Sequence, residues 1–421
     1  MSVPGSDPWL AAETARLLGF GAGARHRDGG FGWLDDDGVL DPARPRALWI
    51  TARMTHVYGL ATLLGVPGAA ALADHGVEAL AGVFHDDAHG GWWAGLDADG
   101  APTTRDKTAY EHAFVVLAAS SAEAAGRPGA GEVLDEALQV LDRFVDHEHA
   151  MVAEQWDEGF ERLDDYRGLN ATMHGVEALL AAADVRDDAA LRDLATRITT
   201  AVVRDLAPAH GWLLPEHFTP GWEPVLDHHR DQPAHPFRPY GATLGHSLEW
   251  ARLALQVHAG AGPDAAAWMV DHAVGLVDTA TRLGWAVDGA DGFVYTVDWD
   301  GTPVVRERMH WVAAEAVAAA SALHRVTGDA RHRERYDAWW AHVEAWFVDR
   351  DRGSWVHERS PSGGASTLTW TGKPDLYHAV QATLLPRLPL APALAAALRT
   401  GPQPRSRPVD RPPGPKTGPV R

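Results

Sequence analysis

The amino-acid sequence predicts an all-α protein: an (α/α)6 barrel of six helical hairpins with short β-like loops at one rim. A short element of glycine, aromatic and acidic residues occurs six times, mostly about 60 residues apart. Between its copies, pairs of apolar segments follow helical spacing. Six hairpins joined by six loops favour a closed ring, because an open rod needs polar end caps and the sequence offers none. An open helical solenoid is the alternative.

The repeated element begins with glycine, continues with aromatic or β-branched residues and ends with an acid. Gly29 and Gly90 begin the two clearest copies, and Gly292 and Gly353 begin the last two. This alternation favours short extended segments or hairpins. The six copies occupy residues 29–35, 90–97, 154–164, 211–216, 292–298 and 353–358.

The segments between the copies are rich in Ala, Leu and Val, and each is divided by a short break such as Gly65-Val66-Pro67. A leading helix is predicted at residues 10–18 and a closing helix at residues 375–398. The hairpins are predicted at residues 43–65 with 68–86, 105–126 with 129–147, 167–184 with 188–206, 240–260 with 263–283, and 308–328 with 330–348.

The chain is predicted to contain one folded domain and a tail. Residues 1–399 are expected to form a single catalytic domain. Residues 400–421 contain seven prolines, five Lys or Arg residues and only two aliphatic side chains. Because so few apolar groups cannot form a core, this segment is predicted to be a disordered Pro/Arg-rich tail.

The composition excludes several classes of function. The chain has no cysteine, which excludes thiolate zinc sites and cysteine nucleophiles. Its net charge of −20 repels phosphate backbones, so no nucleic-acid partner is expected. Without a membrane-length apolar run or a signal-peptide pattern, no membrane partner and a cytoplasmic location are expected. A homo-oligomer is compatible with the sequence. The 18 Trp and 23 His residues suggest a sugar pocket with aromatic walls.

Polar residues recur at matching positions of the repeats, about 18 to 25 residues after most of the repeated elements. A barrel brings the starts of its inner helices to one rim, so these side chains should meet there. One such histidine would be structural more often than not, but several in phase favour a functional cluster. The residues in phase are Arg53, His112, His174, His310 and His378, with His246 displaced by an insertion.

Two of these histidines precede a glutamate by three residues, as in His174 with Glu177 and His246 with Glu249. This spacing places both side chains on one face of a helix. A neighbouring carboxylate can orient an imidazole, fix its tautomer and raise its pKa, which prepares a general acid or base. The same groups are common metal ligands, so the spacing alone leaves a metal site open.

Two further features have two interpretations each. The insertion at residues 216–239 is too polar for a core, so it either covers the pocket or forms a surface excursion. Trp49, Trp311 and Trp370 either stack on a sugar face or pack in the core.

Several motifs resemble the N-acylglucosamine 2-epimerase superfamily, and most closely its aldose–ketose isomerase branch, which includes D-mannose isomerases and sulfoquinovose isomerases. The likeness extends over residues 25–399 and includes Asn170-Ala-Thr-Met-His174, Phe237-Arg-Pro-Tyr240, His246-Ser-Leu-Glu249 and Tyr377-His378. Residues 49–58, 288–308 and 387–392 carry it as well. The fold of that family is an (α/α)6 barrel.

The resemblance implies proton transfer through a cis-enediol on a monosaccharide, without a metal or cofactor. It makes His246 and His378 the acid–base pair, gives His174 a part in ring opening or in binding sugar oxygens, and lets Glu249 orient His246. It also implies that Arg53 and Arg238 hold hydroxyls and stabilise enediolate charge. The expected substrate-binding residues are Arg53, Asn170, Arg238, Trp311, His112, Tyr110 and Glu315.

The expected reaction is the interconversion of D-mannose and D-fructose, with D-lyxose and D-xylulose as further substrates. Sulfoquinovose isomerases carry glutamine where this chain has His357 and Pro374, which favours a neutral hexose. The alternatives are a sulfoquinovose isomerase, a sugar 2-epimerase of the N-acylglucosamine or cellobiose type, and a glycoside hydrolase, which would need catalytic carboxylates at the rim. From another class, a non-enzymatic carbohydrate-binding scaffold would depend on the tryptophans rather than on the histidines.

Overall fold

The computed structural model describes residues 2–401, and its helices follow the predicted order of hairpins. Most of the predicted tail, residues 402–421, lies outside the described residues, and the last helix ends at Thr400. The helices are α1 (Asp7–Gly21), α2 (Leu48–Leu63), α3 (Ala69–Ala81), α4 (Ala109–Ala124), α5 (Ala130–Asp142), α6 (Leu169–Arg186), α7 (Ala189–Thr199), α8 (Ala207–Ala209), α9 (Leu244–Ala261), α10 (Trp268–Gly284), α11 (His310–Thr327), α12 (Ala330–Trp346), α13 (Tyr377–Leu384) and α14 (Leu394–Thr400).

Six helices form the inner ring of a barrel. They are α2, α4, α6, α9, α11 and α13; neighbours in this order pack together, and α13 also contacts α2, which closes the ring. Five inner helices pack against the outer helix that follows in sequence, and α13 packs against the N-terminal α1. The predicted all-α (α/α)6 barrel is confirmed. Among the described helices, none is both long and apolar enough to cross a membrane.

The residue pattern explains which helices lie inside. Inner helix α2 buries 14 of its 16 residues, whereas outer helix α5 buries one stripe that includes Val133, Leu134, Ala137 and Leu141. Small residues let inner helices approach closely. A β-carbon at Gly59 of α2 would lie 3.0 Å from the backbone carbonyl carbon of Ser121 on α4, so any larger residue would push the two helices slightly apart.

Short antiparallel strand pairs connect neighbouring repeats. Five of the six pairs join the two residues before an inner helix to the next repeated loop, and β4 with β5 forms a local hairpin. The pairs are β1 (Arg46–Ala47) with β2 (Gly95–Leu96), β3 (Lys107–Thr108) with β6 (Gln155–Trp156), β4 (Val145–Asp146) with β5 (Met151–Val152), β7 (Arg167–Gly168) with β8 (His217–Phe218), β9 (Ala242–Thr243) with β10 (Thr296–Val297), and β11 (Arg308–Met309) with β12 (Glu358–Arg359).

These strands correct the predicted helix starts at residues 43, 105, 167, 240 and 308. The residues just before each inner helix are extended and bond to the neighbouring loop, so each helix begins two to five residues later than predicted. Consequently the strand pairs fix the height at which five of the inner helices begin.

The predicted closing helix at residues 375–398 is divided into two helices. Helix α13 ends at Leu384 and α14 begins at Leu394. Pro386, Pro389 and Pro392 lie in this region, and proline removes a helical N–H donor and clashes with the preceding turn. Helix α14 packs against α2, α4 and α6 and covers the end of the barrel opposite the repeated loops.

Candidate active site

A cavity opens at the rim where the inner helices begin. It encloses about 670 Å³, a volume that includes the open solvent at its mouth. Every inner helix contributes to the wall, and the 216–239 insertion covers part of the mouth. The lining residues are Trp49, Arg53, Tyr110, Asn170, His174, His246, Glu249, His310, Trp311 and His378 from helices, and Pro236, Phe237, Pro239, Tyr295, His357, Trp370, Pro374 and Asp375 from loops.

The helix-borne residues converge because they occupy the first two turns of the inner helices. Arg53 and His174 are each the sixth residue of their helix, His246 is the third, and His378 is the second. Five of these helices begin at a strand pair with the next repeat, so equivalent positions lie at one height. The structure therefore brings together Arg53, Tyr110, Asn170, His174, His246, Glu249, Trp311 and His378 from the predicted set.

His246 and His378 have matching surroundings. Nδ1–H of His246 donates to Glu216, with 3.0 Å to each carboxylate oxygen, and Nδ1–H of His378 donates to Oε1 of Glu315 at 3.0 Å. Both imidazoles contact Trp311, with ring centroids 5.3 and 5.6 Å apart. Because a carboxylate accepts the Nδ1 proton, Nε2 carries the lone pair. Within residues 2–401 neither Nε2 atom has a hydrogen-bond partner, which leaves both available to a ligand.

These contacts correct two predicted roles. Glu249 does not orient His246; it accepts a hydrogen bond from Arg252 at 3.0 Å and lies 4.0 Å from Nδ1 of His174. Spacing of i, i+3 places the pair on one face, but Glu216 reaches the imidazole from another element. Glu315 was predicted to bind substrate, yet it lies beneath His378 and outside the cavity wall.

His174 is held by packing rather than by a hydrogen bond. Its ring contacts Phe114 and Tyr110, with centroids 4.6 and 5.4 Å away, and Nδ1 lies 3.7 Å from Oε2 of Glu177. Burial lowers the pKa of His174 to about 4, although Glu177 acts in the opposite direction. Burial also lowers the pKa of His378 below its ordinary value, against the effect of Glu315. Both imidazoles are therefore neutral near pH 7.

Arg53 is the cation of the cavity. Its guanidinium donates to the Tyr110 hydroxyl at 2.8 Å and to Asp375 at 3.3 Å, and it lies 4.3 Å from the centroid of the Phe114 ring and 4.7 Å from that of Tyr377. Burial opposes its charge, but Tyr110 and Asp375 raise the pKa of Arg53 above its ordinary value. Its buried Nε has no hydrogen-bond partner among the described residues.

Two predicted substrate-binding residues do not reach the cavity. His112 is fully buried; its Nδ1–H donates to the Thr108 carbonyl at 2.6 Å, and its Nε2 accepts from the Trp92 backbone N–H at 3.1 Å. His112 anchors a repeated loop, so its position relative to the repeated element was not sufficient to identify a substrate-binding residue. Arg238 is not among the lining residues, and its guanidinium lies over the Tyr166 ring at 3.9 Å and 3.7 Å from Oε1 of Glu154.

Several residues of the site had no role assigned from the sequence, although His310 was among the residues in phase. Glu216 and Asp375 lie in loops, and Tyr295 belongs to the fifth repeated element. The imidazoles of His310 and His357 stack with centroids 3.8 Å apart, and burial lowers the pKa of His310 to about 3. Glu216 ends the fourth repeated element and Tyr295 lies within the fifth, which was the available signal for these two. Asp375 lies well beyond the sixth element, so the repeat gave no such signal for it.

Among the described residues, three groups of acidic and histidine side chains have the spacing of metal ligands. Asp86, His89 and Glu158 form one of them, and none of the three lines the cavity. The two groups at the cavity are His174, Glu177 and Glu249, and Glu249, Glu315 and His378. Their carboxylates surround Arg252, which donates to Glu315 at 2.8 Å and to Glu249 at 3.0 Å. Burial and the charge of Glu315 raise the pKa of Glu249 well above its ordinary value. A divalent ion would have to compete with the buried guanidinium of Arg252 for these oxygens, which disfavours a metal here. The absence of a metal from the site remains a prediction.

Comparisons with known proteins show which family the chain resembles. The family model for N-acylglucosamine 2-epimerase (GlcNAc 2-epimerase) matches residues 29–382. A D-mannose isomerase of Thermobifida fusca is 51% identical over 398 residues, which cover 93% of this chain and 97% of the relative. A D-mannose isomerase of Pseudomonas cannabina pv. alisalensis is 47% identical over 399 residues, which cover 94% and 96% of the two chains.

Solved structures show the same fold. A crystal structure of D-mannose isomerase has a TM-score of 0.86 at 26% identity, covering 92% of this chain and 99% of that one. Cellobiose 2-epimerase from Spirochaeta thermophila DSM 6192 has a TM-score of 0.79 at 22% identity, with coverage of 90% and 95%. The resemblance found in the sequence is confirmed, and the chain belongs to the N-acylglucosamine 2-epimerase family.

Proposed function

We propose that the protein is an aldose–ketose isomerase that interconverts D-mannose and D-fructose. The observation that carries this proposal is the matched pair His246 and His378. Both imidazoles contact Trp311 in one cavity, both donate Nδ1–H to a buried glutamate, and neither Nε2 has a hydrogen-bond partner among residues 2–401. Relatives at 51% and 47% identity are D-mannose isomerases. D-Lyxose, which lacks only the C6 group of D-mannose, is the second expected substrate.

In the proposed mechanism, one of the two imidazoles removes the C2 proton of the open-chain aldose. The resulting enediolate gains a proton on O1 to form the cis-enediol. The enediol then loses the proton of O2 and is protonated at C1, which gives the ketose. The atoms balance without an oxidant or reductant, because only protons move. A base of this kind must be neutral at working pH, and the lowered pKa of His378 satisfies that requirement.

Two neighbouring groups complete the mechanism. The guanidinium of Arg53 is proposed to bind the sugar oxygens and to stabilise the negative charge that develops on the enediolate. Neutral His174 is proposed to assist ring opening or to bind a sugar hydroxyl. Asn170, Tyr110 and Trp311 line the same cavity and are proposed to position the sugar.

The charge of the cavity supports an uncharged sugar as the substrate. Among the lining residues of the described chain, Arg53 is the only Arg or Lys, and Asp375 already pairs with it. Burial lowers the pKa of His357 well below its ordinary value, so that imidazole offers no positive charge to a sulfonate or phosphate. This environment disfavours an anionic substrate such as sulfoquinovose.

A sugar 2-epimerase is the second candidate, because two imidazoles beside one enediol can also return the proton to the opposite face of C2. The experiment that separates the candidates is incubation of the pure protein with D-mannose, D-lyxose, D-glucose, D-fructose and sulfoquinovose, followed by chromatography. We expect fructose from mannose and xylulose from lyxose. Glucose as the main product from mannose would identify an epimerase, and no product from any sugar would overturn the enzyme proposal.

We further propose a cytoplasmic monosaccharide enzyme without nucleic-acid or membrane partners. The net charge of −20, which repels phosphate backbones, supports the absence of a nucleic-acid partner. Activity in the cytosolic fraction of cells that express the protein from its own promoter would test the location.

A further inference from the structure

A layer of charged side chains lies beneath the cavity, along the axis of the barrel. We refer to Glu177, Glu249, Arg252 and Glu315 as the axial network. They come from three inner helices, α6, α9 and α11, and each is buried. Charged residues are seldom buried without partners, because removal from water is costly. Packing alone therefore does not explain why four charged side chains are buried in the axial network.

Arg252 is the centre of this network, and all three of its guanidinium nitrogens are used. Nε–H donates to Oε2 of Glu315 at 2.8 Å, and Nη2–H donates to Oε1 of Glu249 at 3.0 Å. Nη1–H donates to the side chain of Gln256 at 3.1 Å. Nη2 also lies 3.9 Å from Oε1 of Glu177. Arg252 is 1% exposed, so these contacts take place away from solvent.

The carboxylates around Arg252 contact the histidines of the cavity. The second oxygen of Glu315 accepts the Nδ1 proton of His378. Glu177 and Glu249 lie 3.7 and 4.0 Å from Nδ1 of His174. One guanidinium thus reaches two cavity histidines on two different helices through their carboxylates, without touching the cavity itself.

We propose that Arg252 is a positioning residue for the isomerisation. Its planar guanidinium fixes the carboxylates of Glu315 and Glu249. Through Glu315 it fixes the ring orientation and tautomer of His378, and through Glu249 it fixes the position of His174. The inference rests on the proposed function, because it assigns Arg252 a part in that reaction. Only a planar cation can serve two carboxylates and an amide in one plane, which a lysine ammonium cannot reproduce.

The charge of Arg252 has a second consequence. A cation beside the Glu315–His378 pair disfavours a further proton on that pair, so its removal makes the pair bind a proton at higher pH. Many other charged or titratable groups surround His378, and they remain unchanged in an Arg252 variant. They are Arg53 from α2, His174 and Glu177 from α6, His246 and Glu249 from α9, His310 and Glu315 from α11, and His357 and Asp375 from the loops.

The test uses Arg252→Met and Arg252→Lys, assayed for kcat and kcat/KM on D-mannose across pH. We expect Arg252→Met to lose at least about tenfold in kcat, with the acid limb of its profile moved to higher pH. Arg252→Lys keeps the charge and loses the planar bridge, so its kcat should fall while its acid limb stays in place. Neither change should raise KM greatly, because Arg252 does not line the cavity.

Arg16→Lys is the matched control. Arg16 also binds a buried carboxylate, Glu13, and two backbone carbonyls, but it joins α1 to the loop after α12, away from the cavity. The Arg16→Lys variant should have a lower melting temperature but the same pH profile of kcat as the wild type.

If Arg252→Met does not fold, Arg252→Met/Glu177→Gln removes one charge of each sign and leaves the net charge of the network unchanged. We still expect an upward shift, smaller than that of Arg252→Met, because Arg252 contacts Glu315 directly. Glu177 bonds instead to Tyr377 and Gln381. If that variant also fails to fold, the kcat of Arg252→Lys decides.

A folded Arg252→Met, or the double variant, with the wild-type acid limb and wild-type kcat would overturn the proposal, and so would Arg252→Lys with unchanged kcat. Failure of the proposed function has a different signature, because the wild-type protein itself would then form no ketose from mannose.

Discussion

The two histidine–carboxylate pairs of the cavity are the same chemical unit built in different ways. Glu216 belongs to a loop, and its backbone carbonyl accepts from Leu169 at the start of α6 beside the β7–β8 strand pair. Glu315 lies inside helix α11 and shares its carboxylate between His378 and Arg252. The Glu216–His246 pair is positioned by the strand pair that connects two repeats, and the Glu315–His378 pair by the buried interior of the barrel. Loop changes should therefore act on His246, and core changes on His378.

The largest expected effect is the loss of either imidazole. His246→Ala and His378→Ala should each reduce kcat for mannose isomerisation by about 10³-fold or more, because each removes a proton-transfer group. Circular dichroism should stay helical in both. If one variant retained more than about a tenth of the wild-type rate, that histidine would have no part in the proton transfer.

The next comparison replaces each carboxylate by its amide. Glu216→Gln and Glu315→Gln should each lower kcat by about 10²-fold, because the orienting acceptor is weakened. Glu315→Gln should lower the melting temperature more, since it leaves Arg252 buried with fewer carboxylates. Glu13→Gln, which changes a buried carboxylate bound to Arg16 and Trp355, is the control. Equal melting temperatures for the two site variants would contradict the distinction between loop and core.

The pH profile of Glu315→Gln tests the direction in which Glu315 shifts the pKa of His378. The hydrogen bond and charge of Glu315 raise the pKa of His378, while burial keeps it below the ordinary value of 6.5. Removing Glu315 therefore lowers that pKa further. A base must be unprotonated, so the acid limb that His378 sets should move to lower pH. A shift to higher pH would mean that Glu315 does not act on His378 in this way.

Arg53→Lys is expected to have a smaller but clear effect. Lysine keeps the charge but cannot bind Tyr110, Asp375 and a sugar oxygen together, so kcat should fall about tenfold to hundredfold with the fold intact. Steady-state kinetics and thermal melting check this. Near-normal kinetics would place Arg53 in the structure of the rim rather than in the reaction.

The smallest effect is expected at the insertion. Phe237 is 40% exposed, and its ring contacts Trp49, Tyr110 and Trp370 at the mouth of the cavity. Phe237→Ala should raise KM for mannose by about fivefold through lost aromatic contact and leave kcat nearly unchanged. A fall in kcat as large as that of Arg53→Lys would show that the insertion takes part in the chemical step.

The phase of the repeats was sufficient to predict the barrel and much of the cavity. Arg53, His174 and His378 could be found because similar positions of inner helices meet at one rim. His246 was found from its spacing to Glu249 and from the family resemblance. Spacing failed where a contact joins different elements: Glu216 is 30 residues before His246, and a pattern on one helix suggested Glu249 instead. It also could not separate a histidine that anchors a loop, such as His112, from one that faces the cavity.

The central claim is that an imidazole carries the substrate proton between C2 and C1, and isotope transfer tests it most directly. C2-deuterated D-mannose is converted in ordinary water, and the deuterium at C1 of fructose is measured through many reversals. A proton held on imidazole exchanges with solvent, so the label should be lost progressively, and in D2O unlabelled mannose should gain deuterium. Full retention of the label at C1 would indicate direct hydride transfer and would contradict the proposed roles of His246 and His378.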